Sequence, residues 1–468
     1  MPDKYHIKTT HVPPRLARIG KYGVVDWRED CARCHNCVKK ACIYDRYREE
    51  NIFIRDLDEV HTLYYECMGC FSCVQNCTKN LLTMSINSEY NKLGNEYWTP
   101  QILSTTWLEA ETGKVPVSGA GYRGKFSGYG FDSMWTDMSE IVRPTRDGIH
   151  GREYISTSVD IGSKPSYLIF DGNKMATVLP SIISLPFPVI FDMPSEKHAL
   201  HSLEPYILET AKQTGLIVII DSKKWKNIKL ENKAEYLNNV AFYLNPDGPE
   251  ISKDILKKTR LVEIPDRKDV DKQIALLKKD IPGIIVSVRV ILNDKALKRT
   301  EELAKISVET IHLVADLNGN EIGSKTPRFI KDVIREIHSL LIKNEKRDEI
   351  TLIAGGGIAL SEHVAKALIC GADLVSIEIP LLIALECHLC ENCKPGDYCP
   401  AKLDKEIDLK YGVGRMTNLM GAWHWQLVEL MGAMGMREAR RLRGDVGRAM
   451  FKDELEEEIY GPIFRKQN

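Results

Sequence analysis

From about residue 186 onward the chain alternates between two patterns. Short apolar, β-branched runs occur at 188–192, 216–221, 240–244, 261–264, 284–290, 311–315, 351–354 and 374–377. Such runs read as strands buried on both faces. Between several of them lie segments with helical spacing of apolar positions, at 198–213, 269–279, 294–304, 327–343 and 361–370. Eight buried strands alternating with helices predict an α/β fold, a (β/α)8 TIM barrel. A doubly wound sheet is the competing arrangement of the same elements.

The flanks have a different character. Residues 1–25 read as a lead-in arm and 26–90 as a small cysteine-rich unit. Residues 91–185 form a Gly- and aromatic-rich connection. Its stretches Ser118-Gly119-Ala120-Gly121-Tyr122-Arg123-Gly124 and Ser127-Gly128-Tyr129-Gly130 show little periodicity. Too aromatic for a free linker, the part up to 150 is expected to pack over another domain. The barrel is assigned to 186–386, followed by a third cysteine-rich motif and a helical tail over 387–468. Within that tail, Arg437, Arg440, Arg441, Arg443 and Arg448 form either the solvated face of a packed helix or a docking face for an acidic partner.

Composition narrows the class. The 468 residues are 43% hydrophobic and 28% charged, the balance of an ordinary globular protein. Lys and Arg total 64 against 65 Asp and Glu, a net charge of −1. That gives no general attraction to nucleic acid or to an anionic membrane. No run of about 18 apolar residues signals a membrane span. The first residues lack the apolar core of a signal peptide, so a cytoplasmic location is expected.

The cysteines carry the chemistry. Of 13, eight lie between Cys31 and Cys77 and four between Cys387 and Cys399, with Cys370 alone. In a reducing compartment, clustered thiols read as metal ligands. Cys31, Cys34, Cys37 and Cys42 are followed by Cys67, Cys70, Cys73 and Cys77. Each run has three closely spaced thiols and a remote fourth, the spacing of a bacterial-ferredoxin-like unit with two [4Fe–4S] clusters. The remote cysteine of each run reaches the other cluster. One cluster is therefore expected on Cys31, Cys34, Cys37 and Cys77, the second on Cys67, Cys70, Cys73 and Cys42. Ile43 and Thr78 stand where a proline usually follows, which changes loop shape and removes no ligand. Two zinc sites would use the same residue type less economically. Cys387, Cys390, Cys393 and Cys399 offer a third set, for either an iron–sulfur cluster or a structural zinc. Cys370, in an apolar stretch, is expected to be a buried thiol.

A phosphate site is expected at the barrel mouth. Gly355, Gly356 and Gly357 follow the seventh strand, and Gly371, Ala372 and Asp373 lead into the eighth. Barrels of this class hold phosphate near their last two strands. Iron–sulfur clusters pass single electrons, and a flavin links them to two-electron chemistry. FMN, with one terminal phosphate, suits that site, and no G-x-G-x-x-G after a strand offers a Rossmann alternative. Asp192 and Asp221 end the first and second strands, where barrels place catalytic groups. The charged stretch 143–152 is read as a hydrogen-bonded turn. His198 and His201 lack a third ligand and are read as surface residues.

The segment Ala354-Gly355-Gly356-Gly357, with Val364-Ala365-Lys366-Ala367-Leu368, Gly371-Ala372-Asp373, Leu382-Ile383-Ala384-Leu385-Glu386-Cys387 and Cys399-Pro400, resembles the FMN-binding domain of glutamate synthase. With a two-cluster unit in front, the chain resembles the archaeal-type form of that family, over most of residues 20–440. The resemblance implies FMN at the barrel mouth with a cluster beside it. Many members carry a [3Fe–4S] cluster there, whereas the additional thiol Cys390 favours [4Fe–4S] here. It further implies reductive amination of 2-oxoglutarate, with electrons from a ferredoxin or another redox subunit, and a separate amidotransferase subunit as ammonia source, since no cysteine follows Met1. The chain departs from the family in three places. The glycine-rich segment after the early strands is missing. Residues 315–323 replace a Gly-Thr-Gly-Ala stretch. Arg289 stands where the family has a strand-5 lysine; it is a candidate to pair with the flavin or a carboxylate, though an arginine cannot act as a tunable acid. An electron-transfer subunit without glutamate synthase activity is therefore the second expectation.

Overall fold

The computed structural model describes residues 4–16, 19–26, 34, 70–115, 127–136, 154–164, 168–175, 180–194, 202–245, 251–306, 308–390, 393–394 and 398–464. Eight parallel strands close into a barrel: β1 (Val189–Phe191), β2 (Val218–Asp221), β3 (Val240–Tyr243), β4 (Leu261–Pro265), β5 (Ile285–Ile291), β6 (Thr310–Val314), β7 (Thr351–Gly355) and β8 (Leu374–Ile377). These are the eight runs read from the sequence. Closure is made by β8 against β1, with Val375 opposite Val189 and Ile377 opposite Phe191. That pairing excludes the doubly wound sheet, whose edge strands never meet. The strands are legible because most residues in them are buried and apolar.

Helices cover the barrel as their spacing predicts: Glu204–Thr214, Val270–Asp280, Ala296–Lys305, Ile330–Lys343 and Ser361–Ile369. One helix was not legible. Within the connecting segment, α1 (Pro100–Thr112) starts at the Thr99 cap and stops at Gly113 in the left-handed conformation (φ 65°). Its capping signals are present in sequence. Its amphipathic stripe is absent, because it is buried on several sides, Ile102, Leu103, Thr106, Trp107 and Glu109 among them.

The tail forms a long helix, α2 (Leu409–Ala433), packed against α1. The N-terminal arm lies along it, where Asn418 bonds both the amide and the carbonyl of Thr10. Trp423 Nε1 donates to Glu109 at 3.2 Å in this interface. Burial pushes the Glu109 carboxyl up to about 8, against the opposing effect of that hydrogen bond. A carboxyl raised on folding favours the folded state in acid, and that advantage is lost as pH rises from about 4.3 toward 8. Glu109→Gln is therefore expected to stabilise the protein by about 1–3 kcal/mol at pH 8 and by little at pH 4. Thermal melts at the two pH values check this, and equal shifts would refute it.

The start of the barrel strands forms a floor. Val159–Ile161 pairs with Ile183–Leu185, and Thr351 at the head of β7 exchanges hydrogen bonds with Gly162. Two of the tail arginines anchor here. Arg440 chelates Asp160 at 2.7 and 2.8 Å, and Arg443 reaches Asp348 at 2.5 Å and Asp373 at 3.3 Å. The basic run is thus partly consumed inside the chain. Among the described residues, no helix is long and apolar enough to cross a membrane.

Candidate functional site

A cavity of about 320 Å³ opens at the other end of the barrel, where the strands finish. It is lined by Asp192 and Met193 after β1, Asp221 on β2, Tyr243 on β3, Arg289 on β5, Gly355 and Gly356 at β7, and Ser376 and Glu378 at β8. Lys224 stands at its side. Five of the residues expected from sequence meet here: Asp192, Asp221, Arg289, Gly355 and Gly356.

The others lie elsewhere. Gly357 faces away from the cavity lining. Its N–H donates to Leu317 O at 3.2 Å, and its carbonyl accepts from the Tyr97 hydroxyl. Gly371, Ala372 and Asp373 come before β8 and sit on the floor, so their expected place at the mouth is corrected. Asp373 accepts from Arg347 Nη2 at 2.8 Å and from the Leu352 amide at 2.7 Å. A loop leading into a parallel strand must lie at the end of the barrel opposite the mouth.

Beneath the cavity runs a chain of buried polar groups, of which the sequence reading missed Glu263, Ser287, His312 and Ser376. Arg289 Nη2 donates to Asp192 Oδ2 at 2.7 Å, and Arg289 Nε donates to Glu263. Glu263 Oε2 faces His312 Nδ1 at 2.8 Å and also accepts from the Ser287 hydroxyl at 3.2 Å. His312 Nε2 in turn meets Ser376 Oγ at 2.8 Å. Register builds this layer, because β4 to β5 pairing sets Glu263 beside Ser287 and β5 to β6 pairing sets Arg289 beside His312. Glu263 and His312 have no solvent exposure. Burial alone would push the Glu263 carboxyl up, but the charge of Arg289 and the hydrogen bonds from His312 and Arg289 outweigh it and hold the group at about 2. Glu378 goes the other way. Burial, reinforced by the negative charge of Asp192 and only partly offset by Arg289, raises it to about 8. The signal that would have found these residues is a lone polar position within each apolar run, Glu263, His312 and Ser376.

Gly355 is where this layer tolerates no side chain. A Cβ there would overlap the Ser376 hydroxyl and stand 2.9 Å from His312 Nε2. Gly355→Ala is expected to cost about 1–3 kcal/mol by overpacking, read as a lowered midpoint in denaturant titration. An unchanged midpoint would show that the layer can yield.

The third cysteine set follows β8 and the short helix Ile379–Ala384. Cys390, Cys393 and Cys399 are near enough to Cys387 to act on it electrostatically. Burial, then the charges of Cys393, Cys390 and Cys399, push the Cys387 thiol up to about 12. Backbone amides point at two of the sulfurs, Leu389 N–H at Cys387 (3.5 Å) and Leu403 N–H at Cys399 (3.4 Å). Glu386, Leu389 and Lys402 take positive φ to wrap the loop. Cys31, Cys37, Cys42 and Cys67 lie outside the described residues, as do His198, His201 and the whole of the charged stretch 143–152. Of the first two runs, Cys34 lies 3.6 Å from the Thr78 hydroxyl, Cys73 is buried within the short helix Ser72–Gln75, and Cys70 and Cys77 lie on either side of it. Cys370 is buried, as expected, against Met134.

Residues 94–98 tie the third set to the cavity rim. Gly94 N–H donates to His388 O at 2.9 Å, Asn95 bonds Asn318 at 3.4 Å, Trp98 Nε1 donates to Leu317 O at 3.0 Å, and Tyr97 bonds Gly357. Five residues span at most about 17 Å, so the thiol loop and the loops after β6 and β7 are close neighbours.

Asp132, Glu362 and His363 place donor atoms within 4.8 Å of one another outside the cavity. They do not suit a metal. Lys366 Nζ already holds Glu362 at 2.9 Å, and the Ala359 amide donates to His363 Nδ1 at 3.1 Å, leaving the ring proton on Nε2.

Comparison with known proteins follows this geometry. Residues 251–437 match the family model described as a conserved region in glutamate synthase. The archaeal-type glutamate synthase [NADPH] of Dehalococcoides mccartyi is 25% identical, over 90% of this chain and 93% of its own. The archaeal glutamate synthases [NADPH] of Archaeoglobus fulgidus and Methanocaldococcus jannaschii are 23% and 24% identical, over 93% and 97% of this chain and 94% and 98% of theirs. Among solved structures, a flavocytochrome b2 variant with benzoylformate aligns with a TM-score of 0.42 at 14% identity, over 70% of this chain and 82% of that one.

Proposed function

Since residues 251–437 match the family model of a conserved region in glutamate synthase, we propose that this chain is an FMN- and iron–sulfur-dependent oxidoreductase of the glutamate synthase kind. Its cavity suits a flavin. Gly355 and Gly356 present backbone with no side chain in the way, and Arg289 supplies a fixed positive charge at the end of β5. When bound there, FMN supplies hydride to an unsaturated acceptor and takes electrons singly from clusters. The third cysteine set suits a [4Fe–4S] cluster by its four mutually interacting thiols and the amide donors at Cys387 and Cys399. The eight N-terminal cysteines are assigned to two further [4Fe–4S] clusters. Electrons would enter from a ferredoxin or another redox subunit, and ammonia would come free or from a separate amidotransferase subunit. The observation that carries the reading is the tie made by residues 94–98, which holds the thiol loop beside the cavity rim.

The acceptor proposed is the imine formed from 2-oxoglutarate and ammonia. A second reading, an electron-transfer subunit without this activity, is favoured by one feature. Asp192, Asp221 and Glu378 line the cavity, and Arg289 is already engaged by Asp192 and Glu263, which leaves little free positive charge for a dicarboxylate.

The test is anaerobic. Purified protein is expected to hold one FMN and about twelve irons, three cubanes of four. A third site filled by zinc would leave about eight irons. Reduced protein is then mixed with 2-oxoglutarate and ammonia. Flavin reoxidation supports glutamate synthase chemistry. Reoxidation by a redox partner alone supports the second reading, and protein without flavin rejects both.

A further inference from the structure

Ser376, His312 and Glu263 form a line in which each group is 2.8 Å from the next, and only Ser376 reaches the cavity. The carboxylate of Glu263 accepts from His312 Nδ1, so a neutral His312 carries its proton on Nδ1 and offers the Nε2 lone pair to the Ser376 hydroxyl. When His312 takes a second proton, the last bond reverses. Nε2–H then donates to Ser376 Oγ, and the serine hydroxyl proton points into the cavity. The ionised Glu263 balances the charge this creates. Arg289, the register neighbour of His312 across β5 and β6, is itself bonded to Glu263 and Asp192. The line therefore has two states that differ by one proton presented to the cavity.

We propose that Ser376 is the proton-donating hydroxyl of the cavity, with His312 its resupplying group and Glu263 the group that fixes the ring. The proposal rests on the oxidoreductase reading above and adds a step to it. A C=N or C=O acceptor that gains a hydride equivalent needs one further proton on its heteroatom. That proton leaves the Ser376 hydroxyl as the oxygen takes the proton from His312 Nε2. The bond from Ser376 O to H breaks, a heteroatom–H bond forms, and His312 is left neutral with Nδ1–H on Glu263. One proton drawn from bulk solvent, carried in by water as hydronium, returns through Ser376 to His312 Nε2 and restores the starting state. No electrons move in this part of the reaction. Ser376 is the catalytic residue; His312 and Glu263 are positioning residues.

Two measurements test it. Ring-¹⁵N histidine spectra of the full-length protein at pH 8, with His312 identified by its loss in His312→Gln, are expected to show Nδ1 protonated and Nε2 bare. Ser376→Ala is expected to shift Nε2 alone. In flavin-loaded protein, reoxidation of the reduced flavin by 2-oxoglutarate and ammonia is expected to show a solvent deuterium isotope effect. Ser376→Ala should slow it about tenfold or more and remove that effect with flavin content unchanged, and Ser376→Thr should restore most of the rate. A neutral His312 ring with its single proton on Nε2 and Nδ1 bare, or a Ser376→Ala protein reoxidised at the parental rate, overturns the proposal. A parent that binds flavin but is not reoxidised fails the glutamate synthase reading instead, and the ring spectrum still decides the fate of the serine.

Discussion

Glu263→Ala is expected to lower unfolding free energy by about 3–5 kcal/mol, the loss typical when one partner of a buried ion pair is removed. Glu263 is fully buried and accepts from three side chains, those of Arg289, His312 and Ser287. Its removal strands Arg289 with Asp192 alone and leaves His312 Nδ1 without an acceptor. Glu263→Gln keeps the volume and one acceptor, and its loss should be smaller. The charge also sets a pH signature. Because the folded carboxyl is held at about 2, below its unfolded value near 4.3, its contribution is present above pH 4.3 and is lost as pH falls toward 2. The parent should therefore lose more stability than Glu263→Gln across that window. Denaturant titrations followed by circular dichroism measure both effects. A loss under about 1 kcal/mol for Glu263→Ala would mean that water or a neighbour replaces the carboxylate.

Arg347→Ala should be comparably damaging, again about 3–5 kcal/mol. The side chain is 4% exposed and donates to Ile350 O and Gly371 O, both at 2.6 Å, to Asp373 at 2.8 Å and to His338 Nδ1 at 2.9 Å. It thereby fixes the starts of β7 and β8 on the barrel floor. Burial, with the charges of Arg347 and Arg443, depresses His338 to about 4, so the ring stays neutral and accepts this bond. Arg347→Lys cannot reproduce the fork and should recover only part of the loss. The same titration reads the effect, and the cavity spectrum of His312 should be unchanged, since floor and mouth are separate. A variant that melts like the parent would show the floor to be held by Arg443 alone.

The floor also explains a misreading. Gly371, Ala372 and Asp373 looked like part of a phosphate loop because a glycine turn beside a buried strand has the same sequence at either end of a barrel. Only the direction of the strand separates them. Gly371 has φ 118° and lies against His338, leaving no room for a Cβ, so its glycine is demanded by packing. Gly357 is similar, pressed on Gly319. Helix α1 escaped for a related reason. Its periodicity is erased by burial on several faces, and its caps alone were too weak a signal.

The order of buried runs and helical segments by itself determined the eight strands and their barrel, because parallel strands covered on both faces must be apolar throughout and that requirement is written locally. Spacing alone likewise marked out the twelve clustered cysteines. Tertiary structure decided which end of each strand faces the mouth, and so which glycines and acids share the cavity. It also decided the Asp192–Arg289–Glu263–His312–Ser376 line, whose members come from β4, β5, β6 and β8 and the end of β1. Those contacts depend on strand register across the barrel, which no local pattern of residues encodes.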